Sequence, residues 1–400
     1  MDIKKLFSAP AVIIDEKVKQ PNGDLIGRIK EKLIRNNIPV IELDQIPNNN
    51  LIKSLKNVNF ILLDWELFDD ALRGTAQAEE IIKENFKFIR RIKKEVFVPI
   101  FIFSNSNPDN IKQQLIEKKL YNSDKPNFIF IKRKQDLFDS SYSRFYFFSL
   151  ISNWIVSLPS IYVLKEWENS INKAKNKLFW DFYNINHKWP SVLQNTFTGD
   201  GSDVNYELGN FIFKNIMART EPVKFDEEIL KLEDNELSKE ELRKVLEAER
   251  FIKNGSLPDI PFTGDIYSYR VDGEDFDRYN INIRPECDIA RKSNPELYCL
   301  KAKIVNEDDI NPTEQRDSEI RFINGAFIEK TNKIYLPFIL SGKILEISLN
   351  DIKIKKWNTV KTNRIGRILP PYITAIQQKY SFYLQRQGLP AIPKRAIKDD

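Results

Sequence analysis

Five short apolar runs separated by amphipathic stretches constrain the first 135 residues more tightly than any other feature of this chain. The runs are Ala11–Ile14, Val40–Leu43, Phe60–Leu63, Ile100–Phe103 and Phe128–Ile131. Between them, helical spacing is found near Leu25–Asn36, Leu51–Asn57, Asp70–Glu95 and Asn110–Lys119. Strand-like and helix-like segments in alternation predict a parallel α/β sheet of five strands.

Ligands of an open parallel sheet bind beyond the carboxyl ends of its strands. Asp15 and Glu16 follow the first predicted strand, Asp64 the third, Ser104 the fourth and Lys132 the fifth. Such a set has a chemical logic. Carboxylates clustered without histidine suit Mg²⁺, which takes oxygen ligands and keeps several waters. A central carboxylate beside that cation is a nucleophile of the aspartyl-phosphate kind. Lys132 would stabilise charge on a transferring phosphoryl group, and the Ser104 hydroxyl would donate to one of its oxygens.

The run ILLDWEL around Asp64, VPIFIFSN through Ser104, FIK ending in Lys132 and VIIDEK at Asp15–Glu16 all fall within residues 1–137, each at the end of a predicted strand. Together they resemble the receiver domains of response regulators in two-component systems. The resemblance implies a flavodoxin-like fold with Asp64 as phospho-acceptor. It implies Mg²⁺ held by Asp15, Glu16, Asp64 and the backbone carbonyl of Glu66, with Ser104 and Lys132 sensing the phosphoryl group. It also implies a histidine kinase or related ATP-binding protein as partner. Glu16 stands where an Asp is usual, Phe68 where a Pro is common, and Ile129 where the switch aromatic usually stands. A module of the same fold used only for docking, without phosphorylation, is the alternative.

Beyond the receiver-like region, residues 138–256 read as a mostly helical connector. Tyr162–Tyr183 and Tyr206–Ala218 have helical spacing, Ser238 with Glu241 forms a capping box, and Asn254-Gly255 is a plausible helix stop. Residues 257–400 turn to β signals, with alternating runs at Tyr279–Ile283, Leu297–Ile304, Ile334–Leu340 and Ile344–Leu349. A helix is expected over Arg367–Arg386, starting around Pro370-Pro371. The run Gly264–Tyr267 (GDIY) resembles the opening of SH3-like toxin barrels, so a small barrel followed by a helix is expected there.

Charge is nearly balanced, 62 Lys+Arg against 57 Asp+Glu, which argues against a protein whose main task is coating nucleic acid. The end of the chain is an exception. Residues 331–400 hold 13 Lys+Arg against 4 Asp+Glu, interleaved with Trp357, Tyr372, Tyr380 and Tyr383. That stretch could bind nucleic acid, as in a defence-system effector, or serve as the solvated face of a helix. Two cysteines and one histidine exclude a disulfide scaffold and a His-rich metal site, and a reducing, cytoplasmic compartment is expected. Cys287 with Asp288 could suggest a nucleophile, and Glu286, Asp288 and Asp309 a metal, but turn residues are the plainer reading; His187 reads as a loop or helix-end residue. Phe145–Leu164 is uncharged over the length of a membrane span, yet its serines and Pro159 predict a buried, broken helix, packed between domains or across a homodimer, with no membrane contact. The expected protein is a receiver–effector chain that relays the state of Asp64 to a C-terminal output module.

Overall fold

The computed structural model describes residues 6–7, 9–20, 25–68, 70–123, 125, 127–139, 141, 144–201, 203–231, 237–270, 278–290, 293–306, 328–330 and 332–386. The chain divides into two compact units, residues 1–187 with 212–231, and residues 188–211 with 232–400. The helical stretch 138–256 is shared between them.

In the first unit, β1 (Ala11–Ile14), β2 (Val40–Leu43), β3 (Ile61–Leu63), β4 (Ile100–Ser104) and β5 (Ile129–Arg133) are all parallel, in the order β2-β1-β3-β4-β5. This is a flavodoxin-like α/β sheet. Every residue of β1, β3 and β4 is buried, as strands covered on both faces must be. Alternate side chains feed two cores. Ala11, Ile13, Leu62, Phe101 and Phe103 face one; Val12, Ile14, Ile61, Leu63, Ile100 and Ile102 face the other.

The helices follow from their apolar stripes. In α1 (Leu25–Arg35), Ile26, Ile29 and Leu33 recur at spacings of three and four and are buried. A short α2 (Asn49–Ser54) follows β2, capped by the Asn48 side chain, which accepts from Leu51 N. The expected Asp70–Glu95 helix is broken. A 3₁₀ turn at Asp70–Leu72 runs into Gly74 at φ +81°, and Thr75 caps α3 (Ala76–Glu95) by accepting from Ala78 N at 3.3 Å. The helix α4 (Pro108–Glu117) joins β4 to β5.

The uncharged segment splits as its Pro159 predicts. Helix α5 (Phe147–Val156) and helix α6 (Pro159–Ile185) meet at 110°, with Pro159 at the first turn of α6, where no intrahelical N–H is required. No single helix among the described residues is long and apolar enough to cross a membrane. Phe147, Ile151, Ile155 and Tyr162 are buried in the core on one face of the sheet. Phe60 is central to that core, its ring 5.2 Å from Phe7, 5.3 Å from Phe101 and 5.5 Å from Phe147.

The second unit holds one curled antiparallel sheet, a half-barrel. Its strands are β6 (Phe251–Lys253), β7 (Asp265–Tyr269), β8 (Arg278–Asn282), β9 (Glu296–Val305), β10 (Ile328–Lys330), β11 (Lys333–Ile339), β12 (Lys343–Lys356) and β13 (Arg364–Ile368). They lie in the order β10-β11-β12-β9-β8-β7-β13-β6. The run Gly264–Tyr267 enters β7, and a register shift between Ile347 and Ile352 bends the long β12. The helix Lys239–Arg250 starts at the expected Ser238–Glu241 capping box. It ends before Asn254-Gly255, because Phe251 leaves the helix to pair with Ile368. For the same reason Arg367 and Ile368 are strand residues, and the closing helix runs over Tyr372–Gln385, burying Ile373 and Ile376. Asp265 is fully buried here, with Arg367 Nε at 2.7 Å and Arg364 Nη1 at 3.5 Å.

Phe60→Ala is expected to cost the first unit about 3–5 kcal/mol, the usual range for emptying a large aromatic site in a packed core. Urea unfolding followed by far-UV dichroism checks this; a loss below about 1 kcal/mol would show that the ring cluster is not the centre of that core.

Candidate functional site

The carboxyl ends of the central strands deliver two carboxylates to one place. Asp15 follows β1 and Asp64 follows β3; the two strands are adjacent, with Ile14 opposite Leu63. Each backbone continues its ladder for one more step, Asp15 N donating to the Leu43 carbonyl and Asp64 N to the Ile14 carbonyl. That extra step holds both side chains at the sheet's edge, where they are only 1% and 8% exposed.

One ammonium lies between them. Lys134 Nζ is 2.6 Å from Asp15 Oδ2 and 2.7 Å from Asp64 Oδ2, and the lysine is itself 6% exposed. The remaining carboxylate oxygens take main-chain donors: Lys17 N donates to Asp15 Oδ1 at 2.9 Å and Glu66 N to Asp64 Oδ1 at 3.3 Å. The turn after Asp64 is held from below. Asn85 Nδ2 donates to the Trp65 carbonyl at 2.7 Å, and the buried Trp65 ring packs on Phe86 at 5.3 Å.

Two acids against one base leave the pocket one negative charge in excess. Burial pushes the Asp64 carboxyl up to about 7, and the charge of Asp15 adds to the rise, while Lys134 pulls the other way. Burial alone would lower Lys134, but the two carboxylates outweigh it and hold its ammonium above the usual lysine range. A carboxyl that titrates near neutrality in a buried polar pocket is the kind of group found at functional sites.

Lys134, and not the expected Lys132, is the lysine of this pocket. Strand β5 extends two residues beyond Ile131, to Arg133, so the first residue past its end is Lys134. Lys132 remains within the strand opposite Phe103 and lines a cavity beside β5. The rule that picked out Asp15 and Asp64 thus finds Lys134 once the strand end is placed correctly.

Ser104 is the last residue of β4, fully buried, its hydroxyl oxygen accepting from Ser106 N at 3.3 Å. Glu16 is partly exposed, with its carboxylate 3.5 Å from Lys17 Nζ. The Glu66 side chain is turned to Arg73 at 3.1 Å. Among the described residues no three His, Cys, Asp or Glu side chains are grouped as a metal site. In the second unit, Cys287 is exposed with Sγ 3.7 Å from Asp288, Asp288 lies 3.9 Å from Arg284, and Glu286 accepts from the Tyr206 hydroxyl at 3.1 Å. Asp309 lies outside the described residues.

No protein-family model matches this chain, and no curated protein matches it.

Lys134→Ala is expected to cost about 3–5 kcal/mol at pH 8, because it strands two buried carboxylates without their counter-charge. Without the lysine Asp64 would titrate higher still, so as the pH falls its carboxyl becomes neutral and the cost shrinks. The variant should therefore approach wild-type stability as pH falls towards 5. Urea midpoints at several pH values check this; a pH-independent loss would contradict an electrostatic role.

Proposed function

We propose that the first unit is a receiver-like module in which Asp64 accepts a phosphoryl group. The observation that carries this reading is the buried group Asp15–Asp64–Lys134 at the carboxyl ends of adjacent parallel strands, with Ser104 ending the next strand. The four sequence runs that resemble receiver domains support the same reading.

Within this reading Asp64 is the nucleophile: one of its oxygens attacks phosphorus, and the bond from phosphorus to the donor's leaving atom breaks, an imidazole nitrogen in a phosphohistidine and a carboxylate oxygen in acetyl phosphate. Lys134 then keeps one buried positive charge beside the added phosphoryl oxygens, and Ser104 supplies a hydroxyl donor. The donor set fits Mg²⁺ in part. Asp15 and Asp64 offer hard oxygens, the Glu66 carbonyl is a third candidate, and Mg²⁺ fills its remaining positions with water. Glu16 would have to leave Lys17 to join them. Bound there, the cation would supply charge neutralisation for an incoming phosphate. A histidine kinase or related ATP-binding protein would be the donor's source, and the half-barrel unit the module that responds.

The test is intact-mass analysis of the full chain after treatment with acetyl phosphate and Mg²⁺. One phosphoryl adduct is expected, absent in Asp64→Ala. Lys134→Ala should slow its formation by about 10²-fold or more, the usual cost of losing one charge-stabilising group. Lys132→Ala should not. Labelling should rise with pH through the range near 7, where Asp64 becomes the carboxylate, and added Mg²⁺ should move that rise to lower pH. An adduct independent of Asp64, or none, would favour a docking-only module.

A further inference from the structure

Among the described residues strand β5 is an edge of the parallel sheet, paired with β4 and with no other strand. The direction of its main-chain groups can be read from one hydrogen bond. Ile100 N donates to the Phe128 carbonyl, so Phe128, Phe130 and Lys132 turn their backbone towards β4. Strand alternation then turns the N–H and C=O of Ile129, Ile131 and Arg133 outward. Asn127, next in that outward series, has its carbonyl taken by Trp154 Nε1 at 3.1 Å. The Arg133 carbonyl faces the 3₁₀ turn Lys134–Leu137 that it caps, and the other outward groups open onto a cavity of about 590 Å³ beside β5.

The chemistry of that cavity is not neutral. Its walls include Tyr121 and Trp154, with Lys112, Lys125, Lys132 and Arg133 against Asp109 and Asp136. Lys112 and Asp109 pair with each other at 3.2 Å. Lys132 and Arg133 have no carboxylate partner among the described residues. An edge strand with free donors and acceptors is a template for a further strand, and lysines on it normally repel one. Here the positive charge would select the strand by its sign. It also disfavours edge-to-edge pairing with a second copy, which would bring like charges together.

We propose that the open edge of β5 binds an extended, acidic segment of a partner protein by strand addition, with the backbone of Ile129 and Ile131 and the Arg133 N–H as its ladder and Lys132 and Arg133 reading its charge. This site is separate from Asp64, and it stands whether or not that residue is phosphorylated.

The test uses the full-length protein and three labelled octapeptides: alternating Val and Glu, alternating Val and Lys, and the Val–Glu peptide N-methylated on every second residue. Backbone-amide exchange is followed by NMR alongside fluorescence anisotropy. In the free protein, the amides of Ile129, Ile131 and Arg133 should exchange fast while those of Phe130 and Lys132 are slow. The Val–Glu peptide should bind and protect the three fast amides. The N-methylated peptide should bind on at most one of its edges and lose affinity, and the Val–Lys peptide should not bind. A Lys132→Glu, Arg133→Glu double variant should weaken Val–Glu binding by about tenfold or more, since like charges then face each other. Slow exchange of the three amides in the free protein, equal binding of the Val–Lys peptide, no protection at millimolar Val–Glu peptide, or protection that instead follows protein concentration through dimerisation would each overturn the proposal.

Discussion

A single ammonium between two buried carboxylates sets the terms for the first unit. Carboxylates as close as Asp15 and Asp64 repel each other, and taking both out of water is costly unless a counter-charge sits between them. Lys134 supplies it from the far side of the sheet, two strands away from β3. The flavodoxin-like order makes this possible, because β1 and β3 lie side by side at the centre and β5 closes the same end. The arrangement is stable but not neutral. Its excess negative charge adds to burial in holding Asp64 near 7, and an added cation or a gained proton would change how the lysine is shared.

Much of this was legible in the sequence. Uninterrupted apolar runs in alternation with helices mark strands covered on both faces, and in a parallel sheet the residues just past each run converge at one end. Asp15, Asp64 and Ser104 follow from that rule. Lys132 does not, because apolar character stops at Ile131 while the strand goes on through Lys132 and Arg133. At an edge strand, long basic side chains can leave the sheet for solvent, so polarity there does not mark the strand's end. Two lysines two residues apart are indistinguishable by pattern, and only the register of β5 against β4 separates them.

The second unit was harder to read for a related reason. Alternating runs announced four of its eight described strands, β8, β9, β11 and β12, and the Ser238–Glu241 box announced the helix that leads into the sheet. The joins were missed because long-range pairing overrides local preference: Phe251 and Ile368 are strand residues only because they face each other. The buried Asp265 with Arg364 and Arg367 was equally invisible, since the partners stand about a hundred residues apart. Such a pair specifies how β7 and β13 meet more than it adds to stability.

Asp64 as a phosphoryl acceptor is tested most directly by fluorine NMR of the full chain with Mg²⁺ and beryllofluoride, which adds to a carboxylate in the shape of a phosphoryl group. A bound signal is predicted for the wild type, with the Lys134 ammonium resonance shifting as it leaves the Asp15–Asp64 pair for the fluorines, and no bound signal for Asp64→Asn. A bound signal that persists in Asp64→Asn, or a wild type that shows none, would contradict that role.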